Sequence, residues 1–393
     1  MKPTVASDRD EREDVLPFHR PLLGEEEIAE VCDTLRSGWL TLGPKTQRFE
    51  EKFAEKIGAR HAVAVSSCTA ALHLALETLG IGPGDEVITT PYTFTATVAA
   101  ILYTGARPVL ADVEADYPNI DPDEVARRVT DRTRAIIPVH FGGAPCDLDR
   151  IRDIAAECGA EVIEDAAHAL PAEYRGRTIG AAGKAVAFSL YAGKNITTGE
   201  GGILATDDAA VADDVRCRRL HGISRDAWKR YSMQGSWYYE VSTRGFKYNM
   251  TDINAAIGLH QLDRLEWFDE RRRELVERYD ELLGSLPGIR TPKPPEYAKS
   301  AWHLYVIEID AAETGVDRTE VIEGLRRAGI GTSVHFIPIH HHPFYQEQLG
   351  CRPEDFPKAT AHYERAVSLP LFPAMRDSDV DRVVDALAGI LGG

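Results

Sequence analysis

The sequence predicts an α/β fold, with a mostly parallel sheet flanked by helices and a smaller α+β domain at the C-terminus. Strand and helix patterns alternate from residue 61 to about 206, the order typical of a parallel sheet covered on both faces. One long helical stretch is then predicted from residue 251 to about 283, and Gly284 ends it. At 393 residues the chain is too long for one simple core, so two domains are expected.

Composition sets the predicted domain boundaries. Residues 1–16 are mostly charged or polar and predict a disordered tail. Residues 17–285 form the predicted large domain, together with an N-terminal segment of helical spacing. Residues 286–393 begin with a proline-rich linker and form the predicted small domain, with a strand at 302–309, a helix at 319–327, a strand at 331–336 and a final helix.

Charge and cysteine content exclude several classes of protein. Forty-five basic against 62 acidic residues give a net charge of −17 and a pI near 5.3, which disfavours nucleic acid and anionic membranes as partners. The six cysteines form no Cys-x-x-Cys pair, and no apolar signal region or membrane-length apolar run is present. We therefore expect a reduced, cytoplasmic enzyme.

A candidate phosphate-binding turn follows the first strand of the predicted sheet. The apolar residues 62–65 pass through Ser66, Ser67, Cys68 and Thr69 directly into an Ala/Leu-rich helix. Free backbone N–H groups and the positive end of the helix dipole meet there, which favours an anion. Serine in such a turn is also a common N-cap, and the pattern leaves both interpretations open.

A candidate carboxylate follows a later strand. Val162 and Ile163 predict a short buried strand that places Asp165 at its carboxyl end, the edge where ligands bind in open α/β sheets. Glu164 and Asp165 point to opposite faces of an extended segment, so the pattern does not say which one faces a ligand. A buried carboxylate needs a cationic partner, and a salt bridge to a covering helix is the simplest alternative to a ligand.

The third feature is Lys194, in a turn that follows the apolar segment 185–190 and precedes a Gly-Glu-Gly-Gly stretch. Desolvation beside an apolar wall would lower the pKa of this amine and make it a nucleophile toward an aldehyde. A surface lysine on a glycine-rich loop is the alternative. Pyridoxal 5′-phosphate carries a phosphate, a ring nitrogen and an aldehyde, so the three features together match its needs.

Longer motifs resemble those of the DegT/StrS-type sugar-nucleotide aminotransferases, which are fold-type I enzymes that use pyridoxal phosphate. The resemblance runs from about residue 17 to the C-terminus and rests on residues 37–44 (SGWLTLGP), 90–97 (TPYTFTAT), 164–168 (EDAAH), 188–202 (FSLYAGKNITTGEGG) and 245–258 (GFKYNMTDINAAIG). It implies a seven-stranded sheet. The likeness is strongest to the branch that aminates 4-keto sugars, typified by UDP-4-amino-4-deoxy-L-arabinose–oxoglutarate aminotransferase.

The resemblance implies three catalytic residues. Lys194 would bond covalently to the cofactor's aldehyde and then move a proton between cofactor and substrate carbons. Asp165 would pair with the pyridine nitrogen and keep the ring an electron sink. His168 would lie near the phenolic oxygen, although a hydrogen-bonded core histidine is the alternative.

The resemblance also implies contacts that hold the cofactor. Phe94 would stack on the pyridine ring, and Ser189 would bind the phosphate through its hydroxyl. Backbone N–H groups of Cys68 and Thr69 would bind the phosphate as well, with Cys68 standing where many relatives have Gly or Ala. Asn249 would reach the phosphate in the neighbouring subunit of a homodimer, although it is also suited to cap the following helix.

A histidine-rich segment and one turn have no role in the cofactor contacts described so far. His335, His340, His341 and His342 lack ordered ligand spacing, so we expect no metal. The resemblance places residues 335–345 near the sugar-nucleotide entrance, and Trp39 and Thr41 either line the substrate or form a turn between domains.

The implied function is transfer of an amino group from L-glutamate to a keto carbon of a nucleotide-linked sugar in amino-sugar biosynthesis, with pyridoxamine 5′-phosphate as the intermediate and 2-oxoglutarate as the product. The 4-position is expected and the 3-position is the alternative. A sugar dehydratase of the same fold is a rival, but those relatives carry histidine where this chain has Lys194. A non-catalytic regulator that binds DNA or protein is the third possibility, and the acidic composition counts against DNA.

Overall fold

The computed structural model describes residues 15–223 and 239–392. Most of the predicted tail, residues 1–14, lies outside the described residues. Leu16 is buried, and its backbone pairs with that of Gly329 and Gly331 in the C-terminal part of the chain. The described chain therefore begins against the small domain.

The elements alternate as the sequence predicts. The helices before residue 250 are α1 (Glu25–Ser37), α2 (Pro44–Ile57), α3 (Cys68–Thr78), α4 (Thr95–Thr104), α5 (Pro122–Arg128), α6 (Leu148–Cys158) and α7 (Ala209–Arg218). The strands of this region are β1 (His61–Val65), β2 (Glu86–Thr89), β3 (Arg107–Leu110), β4 (Thr133–Ile137), β5 (Glu161–Asp165), β6 (Glu173–Tyr174), β7 (Arg177–Thr178), β8 (Ala185–Ser189) and β9 (Gly202–Thr206).

Seven of these strands form one sheet in the order β1-β9-β8-β5-β4-β2-β3. The pairs among β8, β5, β4, β2 and β3 are parallel, and β9 runs antiparallel to both of its neighbours. The fold-type I expectation of a mostly parallel seven-stranded sheet flanked by helices is confirmed. Parallel strands end at the same edge, so the loops after β1, β5 and β8 are brought near one another.

The remaining elements follow residue 250. The helices are α8 (Asp252–Asp263), α9 (Leu265–Leu283), α10 (Ala311–Thr314), α11 (Arg318–Arg327), α12 (Pro343–Leu349), α13 (Pro357–Arg365) and α14 (Asp377–Leu391). The strands are β10 (Ile289–Arg290), β11 (Ala298–Lys299), β12 (Tyr305–Ile309) and β13 (Ala366–Leu369). A small antiparallel sheet in the order β10-β12-β13 shares an apolar core with α9, α11 and α14.

Two local predictions are wrong. The expected single helix from 251 to 283 is broken at Arg264, whose side chain reaches Glu27 of α1 and lies over the Phe268 ring. The expected strand at 331–336 is reduced to one bridge between Ser333 and Ser368. Its last residue, Phe336, instead packs against His168 in the large domain, and this contact turns the segment away from the small sheet.

Helix α2 shows how the sequence builds the layer over the sheet. Phe49, Phe53 and Ile57 recur at helical spacing and are fully buried against the strands. In the described ranges, no helix is long and apolar enough to cross a membrane.

A buried aspartate joins α2 to α8 across more than two hundred residues. Asp252 accepts hydrogen bonds from the backbone N–H of Lys45 at 3.0 Å and from the N–H and hydroxyl of Thr46 at 2.9 and 2.6 Å. It therefore caps the first turn of α2, whose own N-cap residue, Gly43, has no side chain.

Replacing this cap tests the packing of the two helices. Asp252→Ala should lower the free energy of unfolding by about 3 kcal/mol, because it leaves buried donors without their charged acceptor. Asp33→Ala, which removes an exposed ion pair to Lys45, should cost less than about 1 kcal/mol. Urea unfolding of both variants gives the comparison, and equal losses would contradict this role of Asp252.

Candidate active site

The turn between β1 and α3 forms an anion cradle. Ser67 is the N-cap of α3, because its hydroxyl accepts a hydrogen bond from the N–H of Ala70 at 3.1 Å. The N–H groups of Cys68 and Thr69 lie in the first helical turn and have no carbonyl of their own helix to bond. A Cβ at Gly202 would lie 2.4–2.6 Å from the Ser67 and Cys68 backbone, so only glycine allows β9 to approach this turn.

Asp165, the last residue of β5, is the buried carboxylate of the site and is only 4% exposed. Its carboxylate accepts hydrogen bonds from the Thr97 hydroxyl at 2.8 Å and from the Ala167 N–H at 3.1 Å, and the Cys68 thiol lies 4.0 Å away. Burial raises the pKa of Asp165, although Thr97, Ala167 and the nearby Lys194 act in the opposite direction.

Glu164 points to the other face of β5. It lies 3.2 Å from the His140 ring nitrogen and 3.0 Å from the guanidinium of Arg152 on α6. The salt bridge to a covering helix that the sequence left open therefore belongs to Glu164. Among the described residues no lysine or arginine forms an ion pair with Asp165, so this carboxylate is the one available to a cationic ligand.

Lys194 lies in the turn after β8, where its backbone N–H bonds to the carbonyl of Tyr191. Burial lowers the pKa of the Lys194 amine from 10.5 to about 8, while Cys68 and Asp165 act in the opposite direction. No described side chain or carbonyl accepts a hydrogen bond from this amine. A lysine of this kind is substantially neutral near pH 8 and is free to act as a nucleophile or base.

His168 belongs to the same site, and its imidazole ring is neutral. Its Nδ1 accepts a hydrogen bond from the N–H of Gly142 at 3.3 Å, so the proton of the neutral ring is on Nε2. The ring centroid lies 4.4 Å from that of His303 and 5.7 Å from that of Phe336. Burial, and secondly the charge of Lys194, lower the pKa of His168 well below 6.5.

Phe94 and Ser189 are the remaining predicted cofactor contacts. Phe94 is the N-cap residue of α4; its ring is 59% exposed, an unusual fraction for so large an apolar side chain, and its centroid lies 6.0 Å from that of Phe336. Ser189 ends β8, and its hydroxyl accepts the N–H of Tyr191 at 3.4 Å.

Asn249 does not cap α8. Thr251 is the N-cap residue, and its hydroxyl accepts the N–H of Asn254 at 3.2 Å. The Asn249 side chain instead accepts a hydrogen bond from Lys247 at 2.6 Å and donates to the hydroxyl of Thr41 at 3.4 Å. Its backbone bridges to Val65 at the end of β1. Asn249 therefore lies next to the anion cradle of its own chain.

The four histidines of the segment 335–342 each contact a protein group through one ring nitrogen; His342 approaches the Ile337 carbonyl at 3.3 Å. The other ring nitrogen of His340, Nδ1, is buried and has no hydrogen-bond partner among the described residues. His340 and His341 both contact the Thr360 hydroxyl, at 2.9 and 3.2 Å, and His335 contacts the Ser368 hydroxyl at 2.9 Å. Within residues 15–223 and 239–392 no three His, Cys, Asp or Glu side chains are grouped as a metal site. In the turn after α1, the Trp39 indole donates to the Leu42 carbonyl at 3.1 Å.

The structure adds residues that the sequence pattern did not single out. Thr97 bonds directly to Asp165, and Thr93, four residues earlier, bonds to Thr97 at 2.8 Å. A hydroxyl pair four residues apart at a helix start was the available signal. His303 and Phe336 come from the small domain and approach His168. Phe336 belongs to the segment 335–345 that the resemblance placed near the sugar-nucleotide entrance, whereas nothing in the local sequence marks His303.

These residues fit pyridoxal 5′-phosphate on structural grounds. The unbonded N–H groups of Cys68 and Thr69 at the start of α3 suit the phosphate. Asp165 is buried and forms no ion pair with a described lysine or arginine, which suits a protonated ring nitrogen. The amine of Lys194, with its lowered pKa, suits the aldehyde. The exposed Phe94 ring offers a flat apolar surface beside them.

Comparison with known proteins agrees with this fit. Residues 21–388 match the model of the DegT/DnrJ/EryC1/StrS aminotransferase family. The spore coat polysaccharide biosynthesis protein SpsC of Bacillus subtilis is 53% identical over 383 residues, which are 97% of this chain and 98% of SpsC.

Solved structures show the same similarity. Spr1654 of Streptococcus pneumoniae, assigned as a sugar aminotransferase and solved in PLP and PMP forms, superimposes with a TM-score of 0.89 at 34% identity; the PLP-form match covers 96% of this chain and 99% of Spr1654. PseC of Helicobacter pylori, an aminotransferase of pseudoaminic acid biosynthesis, has a TM-score of 0.89 at 28% identity, covering 96% and 99% of the two chains. The cofactor is pyridoxal 5′-phosphate, with pyridoxamine 5′-phosphate as its aminated form.

The lowered pKa of Lys194 makes a direct prediction for the cofactor-free protein. Reductive methylation of Lys194 should reach half its maximal rate near pH 8, because the neutral amine is the reactive form. Lys184 is the matched control, since its ion pair with Asp208 raises its pKa above 10.5 and should keep it unreactive until higher pH. Peptide mass spectrometry across a pH series measures both, and identical profiles would refute the assigned environment of Lys194.

Proposed function

Since the chain belongs to the DegT/DnrJ/EryC1/StrS aminotransferase family, we propose that it transfers an amino group from L-glutamate to the 4-keto carbon of a nucleotide-linked sugar. Sugar aminotransfer with pyridoxal 5′-phosphate is the premise, and the donor, the nucleotide and the position are the proposal. One observation supports the aminotransfer chemistry on which the proposal rests: Lys194, Asp165 and the Ser67–Cys68 turn meet at one edge of the sheet.

The proposed roles follow from the contacts of each residue. When bound, pyridoxal 5′-phosphate supplies an aldehyde that accepts the amino group and a ring that holds the electron pair released at carbon. The amine of Lys194 would hold the aldehyde, and in its free form it would carry a proton to and from carbon, for which a pKa of about 8 is well matched. Asp165, oriented by Thr97, would hold the positive charge at the ring nitrogen.

The other site residues position the cofactor. The N–H groups of Cys68 and Thr69, with the Ser189 hydroxyl, would hold the phosphate at the N-terminus of α3. Phe94 would stack on the ring, and the Nε2–H of neutral His168 would donate to the phenolic oxygen. All six cysteines are free thiols, which supports a reducing cytoplasmic location.

The choice of position rests on likeness to the 4-keto branch across residues 248–257 and at Ser66 and Ser67, and the nucleotide rests on the family resemblance. The experiment is an assay of purified enzyme with glutamate and a panel of UDP-, dTDP- and GDP-linked 4-keto and 3-keto sugars. We expect turnover with a 4-keto sugar, and turnover only with a 3-keto sugar would move the reaction to the 3-position. Elimination of a hydroxyl without amination would favour the dehydratase, which the intact Lys194 argues against.

The two neighbouring carboxylates allow a matched test of the ring-nitrogen partner. Asp165→Asn should keep the fold while the cofactor dissociation constant and the rate deteriorate together, by at least about tenfold for a charge contact worth 1–3 pKa units. Glu164→Gln should destabilise the fold, because it weakens contacts to His140 and Arg152, but leave cofactor affinity nearly unchanged. The reverse pattern in cofactor titrations would assign the role to Glu164.

We also propose a homodimer in which Asn249 contacts the phosphate in the partner's site. Support comes from the resemblance and from large apolar side chains exposed on the single chain: Leu23, Ile28, Leu35, Leu40, Phe94, Tyr191 and Val241. Asn249 is also not needed as a helix cap, since Thr251 fills that position.

Subunit complementation tests the shared site. Lys194→Ala and Asn249→Ala should each be inactive alone, and mixing them after dissociation and reassociation should restore part of the activity. One site of the mixed dimer collects both lesions and the other collects neither. Failure to recover activity despite demonstrated subunit exchange would mean that Asn249 serves its own chain.

A further inference from the structure

The buried side chain of Asn195, the residue after Lys194, makes three hydrogen bonds that fix its orientation. Its amide nitrogen Nδ2 donates to the carbonyls of Leu170 and Ala301, both at 2.8 Å. Carbonyls only accept hydrogen bonds, so Nδ2 and not the amide oxygen must face them. The amide oxygen therefore faces Nδ1 of His303, at 3.0 Å.

This contact determines which nitrogen of His303 carries the proton. Because the amide oxygen of Asn195 can only accept, Nδ1 of His303 must donate. Burial lowers the pKa of His303 well below 6.5, and His168, Lys194 and Arg272 lower it further. The ring is therefore neutral, with its one proton on Nδ1 and with Nε2 bare. His168, whose ring centroid lies 4.4 Å away, has the opposite arrangement, with its proton on Nε2.

The backbone beside His303 is held in an unfavourable conformation. Trp302, the preceding residue, has a φ of 44°, in the left-handed region that is costly for a large side chain. The backbone on either side is bound to the loop at 142–143, to which Ala301 and Leu304 donate their N–H groups at 3.0 and 3.2 Å. These bonds hold Trp302 in its conformation and so set the direction in which the His303 ring leaves the backbone.

His303 is thus in contact with two parts of the candidate active site. Its Nδ1–H holds the amide that follows Lys194, and its ring packs on that of His168. We propose that His303 is a positioning residue of the small domain, which sets the placement of Lys194 relative to His168. This role rests on the proposed aminotransfer, in which Lys194 and His168 act on the cofactor's aldehyde and phenolic oxygen, and deepens it by naming the side chain that aligns them.

Nitrogen-15 NMR of the histidine-labelled holoenzyme tests the contact without any substitution. We expect Nδ1 of His303 to give the signal of a protonated ring nitrogen and Nε2 that of a bare one, at pH 6.5 and above. The signals are assigned through their correlations with the His303 backbone. A proton on Nε2 alone, or on both nitrogens, would overturn the contact with Asn195 and with it the proposed role.

Two substitutions separate the hydrogen bond from the ring contact. His303→Phe keeps a ring over His168 but removes the donor, whereas His303→Asn keeps a donor nitrogen bonded to Cγ and removes the ring. In cofactor-free His303→Phe, the pH of half-maximal Lys194 methylation should rise from about 8 by about 0.5–1 pH unit, because a loosened turn lets water reach the amine. In His303→Asn it should stay near 8, since the hydrogen bond is restored.

The holoenzyme gives a second readout, the pH at which the absorbance of bound pyridoxal 5′-phosphate changes. This pH should shift in both variants, because Lys194 loses its anchor in His303→Phe and His168 loses its neighbouring ring in His303→Asn. His362→Phe is the matched control, since His362 is also buried but contacts Glu308 and the Glu114 carbonyl outside the candidate active site. It should unfold at lower urea concentration and leave both pH readouts as in the wild type.

Unchanged pH readouts in folded His303→Phe, or the same shifts in His362→Phe, would overturn the positioning role. If the His303 variants do not fold, the wild-type NMR measurement still decides whether the contact with Asn195 exists. None of these measurements uses a sugar or an amino donor. A failed sugar panel with the expected shifts would therefore refute the proposed substrate and leave the alignment of Lys194 and His168 by His303 intact.

Discussion

Desolvation at the carboxyl edge of the sheet is the constraint on which the site depends. It acts on two groups of opposite charge, lowering the pKa of Lys194 and raising that of Asp165. Both shifts express the same cost of holding a charge away from water. The desolvation cost is reduced for Lys194 because its amine is partly neutral. For Asp165 it is reduced by the hydrogen bonds from the Thr97 hydroxyl and the Ala167 N–H, and an aromatic cation placed beside the carboxylate would reduce it further.

The backbone that holds this edge also joins the two parts of the chain. Asn195, the residue after Lys194, donates to the carbonyls of Leu170 and Ala301 at 2.8 Å and contacts His303 at 3.0 Å. Gly143, at a φ of 105°, lies so close to this segment that a Cβ would meet the His303 N–H at 3.1 Å. The turn that carries the lysine is therefore held by residues 301–303 of the small domain, and a shift of that domain would move the site.

The distribution of charge separates surface from site. The chain as a whole is acidic, while Arg20, Lys194 and Arg272 line one small space beside the Lys194 turn, and none of the residues around it is acidic. Grouped cations of this kind make the local potential positive within an acidic chain. The same arrangement explains why His19, His168 and His335 are held neutral: burial comes first, and the charge of Lys194 adds to it in each case.

The sequence by itself determined the sheet, the order of its strands and helices, and the presence of Lys194, Asp165 and the Ser67 turn at strand ends. These are local features, since strand length, apolar alternation and the residue after a strand are all written in short segments. Only the tertiary structure decided which neighbour, Glu164 or Asp165, faces the site, because that depends on whether Arg152 or Thr97 lies opposite. The break at Arg264, which reaches Glu27, and the loss of the strand at 331–336, where Phe336 packs on His168, likewise involve partners far away in the chain. Contacts between distant residues do not change the local periodicity of the segments that make them, so they could not be predicted from the sequence pattern.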